Sequence, residues 1–137
     1  MLLSSLTRQI REKNLQLDAI SSHLLGGLLI TRLDRSFTIL YANDGYLNMV
    51  GYTRSQLRKE KRNAAVSLCA SEERNATMQA IFSQLSQNGM LSLEHRLQRR
   101  DGTRLWALIR GRQVNDPELG QIGVWVIIDV TEQKETQ

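Results

Sequence analysis

The stretch Leu91-Ser92-Leu93-Glu94-His95-Arg96-Leu97-Gln98, followed by Asp101-Gly102 and a second largely apolar segment, decides the fold. Leu91, Leu93, His95 and Leu97 alternate with polar residues, the period-two pattern of a strand with one buried face. Asp-Gly tolerates the backbone angles of a tight hairpin, so a return strand is predicted from about Arg104 to Val114. Beyond the single proline, Pro117, the run Ile122 to Val130 gives a third strand. It stops at Thr131, a residue able to cap a helix. With a two-residue turn, Leu97 faces Trp106 and His95 faces Leu108, and all four share one side of the sheet. A slip of one residue reverses that assignment.

Upstream, Leu3, Leu6, Ile10, Leu17, Ile20 and Leu24 recur at heptad positions and predict an amphipathic helix that Gly26-Gly27 ends. Leu6, Ile10, Leu17, Ile20 and Leu24 are candidate dimerisation residues; the same seam could instead lie on the chain's own sheet. Leu28 to Leu33 and Phe37 to Ala42 read as two strands. Asn43 and Asp44 can open a short helix from about Gly45 to Val50. Thr53-Arg54-Ser55-Gln56 has capping-box spacing for one more turn through Leu57. Arg58 to Asn63 is polar and reads as a mobile loop, and Ala64 to Leu68 returns to the core. Ser71 is placed to cap a longer helix, with Glu72 and Glu73 in its first turn and Met78, Ile81, Phe82 and Leu85 on its apolar face.

This order predicts an α+β domain: a five-stranded antiparallel sheet with helices on one face, plus the N-terminal amphipathic helix. The divisions are residues 1–25 for that helix, 26–130 for the domain and 131–137 for the start of an exit helix. Because the last strand is apolar at nearly every position, both sheet faces are expected to be covered.

At 137 residues, with 41% hydrophobic and 23% charged residues, the chain suits one globular domain. No apolar run approaches the roughly 20 residues of a membrane-spanning helix, and Met1-Leu2-Leu3 lacks the basic flank of a secretory signal. A cytoplasmic location without membrane contact is expected. One cysteine, Cys69, excludes an internal disulfide and agrees with a reducing compartment. The charge of +4, with Arg96, Arg99, Arg100, Arg104, Arg110 and Arg112 around one hairpin, raises nucleic-acid binding as the alternative function. Solvated surface is the stronger reading, since these arginines occupy polar strand positions with little aromatic interleaving.

Four segments stand in a telling order: Leu28 to Leu33 with Ile39-Leu40-Tyr41-Ala42-Asn43; Gly51-Tyr52-Thr53-Arg54-Ser55-Gln56-Leu57; Arg100-Asp101-Gly102-Thr103 with Trp106; and Asp129-Val130-Thr131-Glu132-Gln133-Lys134. Together, over Leu25 to Lys134, they resemble a PAS (Per-Arnt-Sim) sensory domain. The resemblance implies a module that senses a small ligand, light, oxygen or redox state, or that simply dimerises. It implies a relay through Asp129 and Thr131 to a covalently linked output domain, in bacterial proteins commonly a diguanylate cyclase or histidine kinase. Val66 to Arg74 departs from the family, which often carries a His-Pro pair there.

No catalytic set emerges, because the two histidines lack flanking motifs and adjacent Glu72 and Glu73 diverge by about 100° on a helix. Haem-binding relatives present a histidine from the long helix; Arg74 to Gln87 contains none, and neither His23 nor His95 matches. The light-sensing branch wants its cysteine within Asn-Cys-Arg-Phe-Leu-Gln, whereas Cys69 sits in Ser67-Leu68-Cys69-Ala70-Ser71 and reads as a small buried side chain. Non-covalent flavin or a small metabolite stays open, and no metal-ligand set is spaced for binding. The pocket candidates are Met49, Tyr52, Leu68, Met78, Phe82, Leu93, His95 and Trp106, residues that a plain core would use equally. His95 stands out as one polar group able to orient an anionic or hydrogen-bonding ligand.

Overall fold

A computed structural model describes residues 26–136. The expected N-terminal helix and its dimerisation residues lie outside the described residues. Five strands form one antiparallel sheet: β1 (Gly27–Arg32), β2 (Ile39–Ala42), β3 (Met90–Gln98), β4 (Arg104–Asp116) and β5 (Gly120–Asp129). Their spatial order is β2-β1-β5-β4-β3. The first and last strands of the domain therefore lie side by side at the centre of the sheet.

Between β2 and β3 the chain packs its helices on the inner face: α1 (Asp44–Val50), α2 (Arg54–Lys61), 3₁₀ turns at Ala65–Leu68 and Ser71–Glu73, and α3 (Arg74–Asn88). Asn43 starts α1 and ties it to the sheet, because its Oδ1 accepts from both Tyr46 N–H and Leu28 N–H at 2.9 Å. Thr53 and Gln56 close a reciprocal capping box on α2. That helix runs to Lys61, so the polar stretch expected as a mobile loop is largely helical. Its polarity reflects an exposed helix face with only Leu57 buried. Ser71 does not cap α3; its hydroxyl donates to the Glu72 carboxylate at 3.3 Å, and α3 starts three residues later.

The β3–β4 hairpin corrects the expected register. Leu97 pairs with Leu105 and His95 with Ala107, while Trp106 pairs with Arg96. Gly102 N–H donates to the Arg99 carbonyl at 3.0 Å and Arg99 N–H to the Thr103 carbonyl at 2.7 Å. Three residues, Arg100 to Gly102, thus form the loop, and Gly102 takes the left-handed conformation at φ 90°. An odd loop shifts the pairing by one position and sends Trp106 to the opposite face from His95.

At the sheet centre the Trp125 indole lies across two glycines. A Cβ on Gly123 would stand 1.9 Å from the ring, and one on Gly111 2.7 Å from it. Trp125 is 2% exposed, and its Nε1–H donates to Thr31 Oγ1 at 3.0 Å, joining β5 to β1. Replacing Thr31 by valine keeps the shape and strands the indole N–H in a dry interior. Thr31→Val should lower unfolding stability by roughly 1–3 kcal/mol in urea titrations; an unchanged midpoint would show that the bond contributes nothing.

Candidate functional site

A cavity of about 40 Å³ lies between the inner sheet face and the helices. Four strands and α3 contribute walls: Leu29 and Thr31 from β1, Leu91, His95 and Leu97 from β3, Ile109 from β4, Trp125 and Ile127 from β5, and Met78 and Ile81 from α3. Phe37, Tyr46, Ala65, Val66 and Cys69 complete it. Its lining is almost wholly apolar, with His95 the exception that matters. The imidazole is 7% exposed, and its Nδ1 is buried without a hydrogen-bond partner.

Burial pushes the His95 pKa down to about 4, against the upward pull of Glu73. The ring is therefore neutral near pH 7, with one nitrogen a donor and the other an acceptor. Cys69 is also buried, and desolvation raises its thiol to about 11, so it is not a thiolate under ordinary conditions. Since one buried water takes roughly 10–15 Å³, the cavity admits a molecule of a few heavy atoms. A porphyrin or an isoalloxazine does not fit these walls. His95, the only histidine among the described residues, lies on β3 rather than on the long helix.

Of the eight sequence candidates, Met78 and His95 line the cavity. Leu68 is 1% exposed within the core, and Met49 and Leu93 pack against that core. Tyr52 is buried but faces a separate polar cleft. Phe82 is 43% exposed and stacks on Phe37 with ring centroids 5.5 Å apart. Trp106 is not a cavity residue, because the three-residue loop turns it outward. Trp125, Thr31, Ile109 and Ile127 were missed: β4 and β5 are apolar on both faces here, so alternation gives no phase for choosing the inner residues.

Outward-facing Trp106 instead holds the exit segment. Its N–H donates to Thr131 Oγ1 at 2.9 Å, and its carbonyl accepts from Val130 N–H at 2.8 Å. The short helix α4 (Thr131–Glu135) then brings Lys134 4.8 Å from the centre of the Trp106 ring and 2.9 Å from Glu94. Thr131 is thus a clamp to β4 rather than a helix cap. Asp129, just ahead of the helix, accepts from Thr131 N–H at 2.9 Å while its second oxygen lies 3.5 Å from Arg99.

The sequence comparison identifies the family to which this sheet and its helices belong. A PAS domain family model matches residues 26–132. The chain belongs to the PAS family. Solved structures share the fold: an RNA-binding light-oxygen-voltage receptor has TM-score 0.71 at 18% identity, over 87% of this chain and 33% of that one. The chain thus spans about a third of that receptor. A PAS domain from a two-component sensor histidine kinase has TM-score 0.64 at 11% identity, covering 90% of this chain and 97% of that one. A PAS domain of a LuxR-family transcriptional regulator from Burkholderia thailandensis, in complex with ethanol, has TM-score 0.59 at 22% identity over 76% and 88% of the two chains. No curated protein sequence matches the chain. PAS domains are typical sensory modules of kinases and cyclases. Among the described residues, no helix is long and apolar enough to cross a membrane, and no three His, Cys, Asp or Glu side chains cluster as metal ligands.

The hairpin arginines are largely committed to carboxylates: Arg104 to Glu72, Arg96 to Glu73 at 2.7 Å and Arg100 to Glu60 at 3.1 Å. The hydrogen bond from Arg104 draws the Glu72 pKa down to about 2. This pairing neutralises much of the charge that suggested nucleic acid.

His95 gives the site a pH signature. Its folded pKa lies below the reference value of 6.5, so its unfolded form takes up a proton first. The stability it provides is complete above about pH 6.5 and is lost as pH falls toward 4, by on the order of 3 kcal/mol. His95→Phe should flatten the fall in urea-unfolding stability between pH 7 and pH 4.5 by a large part of that amount. Identical slopes in both proteins would contradict a neutral buried imidazole.

Proposed function

We propose that this PAS domain is the sensory input of a signalling protein, and that its ligand is a small, mainly apolar molecule bearing one hydrogen-bonding group. The observation that carries the reading is the unpartnered Nδ1 of His95 in the wall of an otherwise apolar cavity. A buried polar atom without a partner is costly, and a hydroxyl or carbonyl placed against it removes that cost. Cavity size selects a few heavy atoms; the ethanol complex of the Burkholderia relative supplies a natural probe.

The way the walls join the exit supports a relay. Ile109 and Ile127 are paired across β4 and β5, and two residues after Ile127 comes Asp129, the anchor of α4. A shift of this pair is passed to Asp129, Thr131 and Trp106, and through α4 to an output domain of the diguanylate cyclase or histidine kinase kind. Self-association through Leu6, Ile10, Leu17, Ile20 and Leu24, and a cytoplasmic setting, complete the proposal. The protein acts as a sensor rather than as an enzyme: Cys69 and His95 both line the cavity, but no hydrogen bond links them, the His95 Nδ1 has no partner, and burial keeps the Cys69 thiol protonated.

Nitrogen NMR of histidine-labelled protein titrated with ethanol tests the ligand assignment. A saturable shift of His95 Nδ1, abolished with the binding itself in His95→Leu, is expected. Linear, non-saturating changes, or equal binding by the leucine variant, would exclude the site.

A further inference from the structure

A second hollow, of about 400 Å³, opens between the end of α2, the two 3₁₀ turns and the β3–β4 loop. Cys69 lies in the wall of both hollows, but the two differ in chemistry. The second is lined by Lys61, Arg74, Arg99 and Arg100, four cations facing one carboxylate, Glu60. What matters is how far each charge is already matched.

Arg99 is fully engaged. It donates to the carbonyls of Met49 and Arg104 at 3.3 and 3.1 Å and to Thr103 Oγ1 at 3.2 Å, and it lies 3.5 Å from Asp129. Arg100 holds Glu60 through Nε and Nη2 at 3.1–3.2 Å. Ser67 and Ser71 spend their hydroxyl protons on the Ala64 carbonyl and on Glu72. Two cations are left. Lys61 has no side-chain partner among the described residues. Arg74 reaches only the carbonyls of Ser67 and Cys69, through long Nη2 contacts of 3.3 and 3.4 Å, and its Nε is buried with no partner.

A guanidinium with a buried, unmatched N–H and no carboxylate is an expensive arrangement unless an anion completes it. The acidic residues beside it in sequence cannot do so, since Glu72 and Glu73 hold Arg104 and Arg96. Tyr52 faces the same cleft, and burial holds its phenol protonated as a further donor. The volume falls in the range of roughly 300–1,000 Å³ in which metabolite pockets lie.

We propose that this cleft is a second ligand site, for a compact organic dianion held between Lys61 and Arg74. The shared chemistry is a pair of closely set oxyanion charges, met by a phosphate monoester or a dicarboxylate, which arginine engages through directed N–H bonds. The site is polar and shares only Cys69 with the lining of the His95 cavity, so this domain has two inputs of opposite chemical character.

Calorimetric titration of the full chain with glycerol 2-phosphate and with malonate, at ionic strength held constant by sodium chloride, tests it. Saturable one-to-one binding of at least one probe is expected; the better binder distinguishes phosphoryl from carboxylate ligands. Arg74→Gln and Lys61→Gln should each weaken affinity by about tenfold, the worth of a charge-assisted hydrogen bond. Lys59→Gln, on the exposed surface of α2 outside the cleft, should leave it unchanged. Lys61 is a surface helix residue, so its variant preserves the test should Arg74→Gln fail to fold. Absence of saturable binding by either probe, or equal losses from Lys59→Gln and Lys61→Gln, would overturn the proposal.

Discussion

One short loop governs the arrangement of everything else. The hydrogen bond from Arg99 N–H to the Thr103 carbonyl, 2.7 Å long, closes three residues between β3 and β4. Because side chains alternate along a strand, loop parity decides which set of residues the sheet turns inward. Three residues bury Leu91, His95 and Leu97 and leave Glu94, Arg96 and Gln98 outside. With β4 held in place, a one-residue shift of β3 would turn Glu94 and Arg96 toward a dry core, a cost no rearrangement of nearby loops could offset. The same parity puts Trp106 on the outer face, where it meets Lys134 and Arg96.

The cavity and the exit segment thus lie on opposite sides of the same strands. On the inner side, Ile109 and Ile127 border the cavity; on the outer side and at the strand ends, Trp106, Asp129 and Thr131 hold the exit helix. A sheet is stiff across its hydrogen-bonded ladder, so in the proposed relay a change in the cavity would reach the exit by a shift of paired strands rather than through a chain of side chains. The ion pairs from Glu72 and Glu73 to Arg104 and Arg96 fasten the 3₁₀ turns to the same hairpin. They are exposed or partly so, and they orient the hairpin more than they stabilise it.

Much of this was legible in the sequence, for identifiable reasons. The alternation of Leu91 to Gln98, the capping box at Thr53 and the cap at Asn43 are local signals, and each gave its element directly. Asp101-Gly102 marked the turn but could not give its length, because glycine serves both a two-residue turn and the left-handed end of a three-residue loop. That ambiguity misplaced Trp106. Polar composition hid the continuation of α2 through Lys61, since a surface helix and a loop are equally hydrophilic. Trp125 was hidden for the opposite reason, in a strand apolar on both faces. Thr131 was recognised as a helix-start residue, yet its partner Trp106 lies 25 positions away, beyond any local pattern. His95 was visible as the odd polar member of an apolar set, while its missing partner became apparent only in three dimensions.

Backbone hydrogen exchange at Trp106 and Val130, the two amides that tie the exit segment to β4, is the most direct measure of whether the cavity speaks to the exit. Saturating the cavity with ethanol should change protection at both amides, and His95→Leu should abolish the change. Perturbation confined to the cavity walls, with Trp106 and Val130 exchanging as before in protein shown to be saturated, would contradict the account.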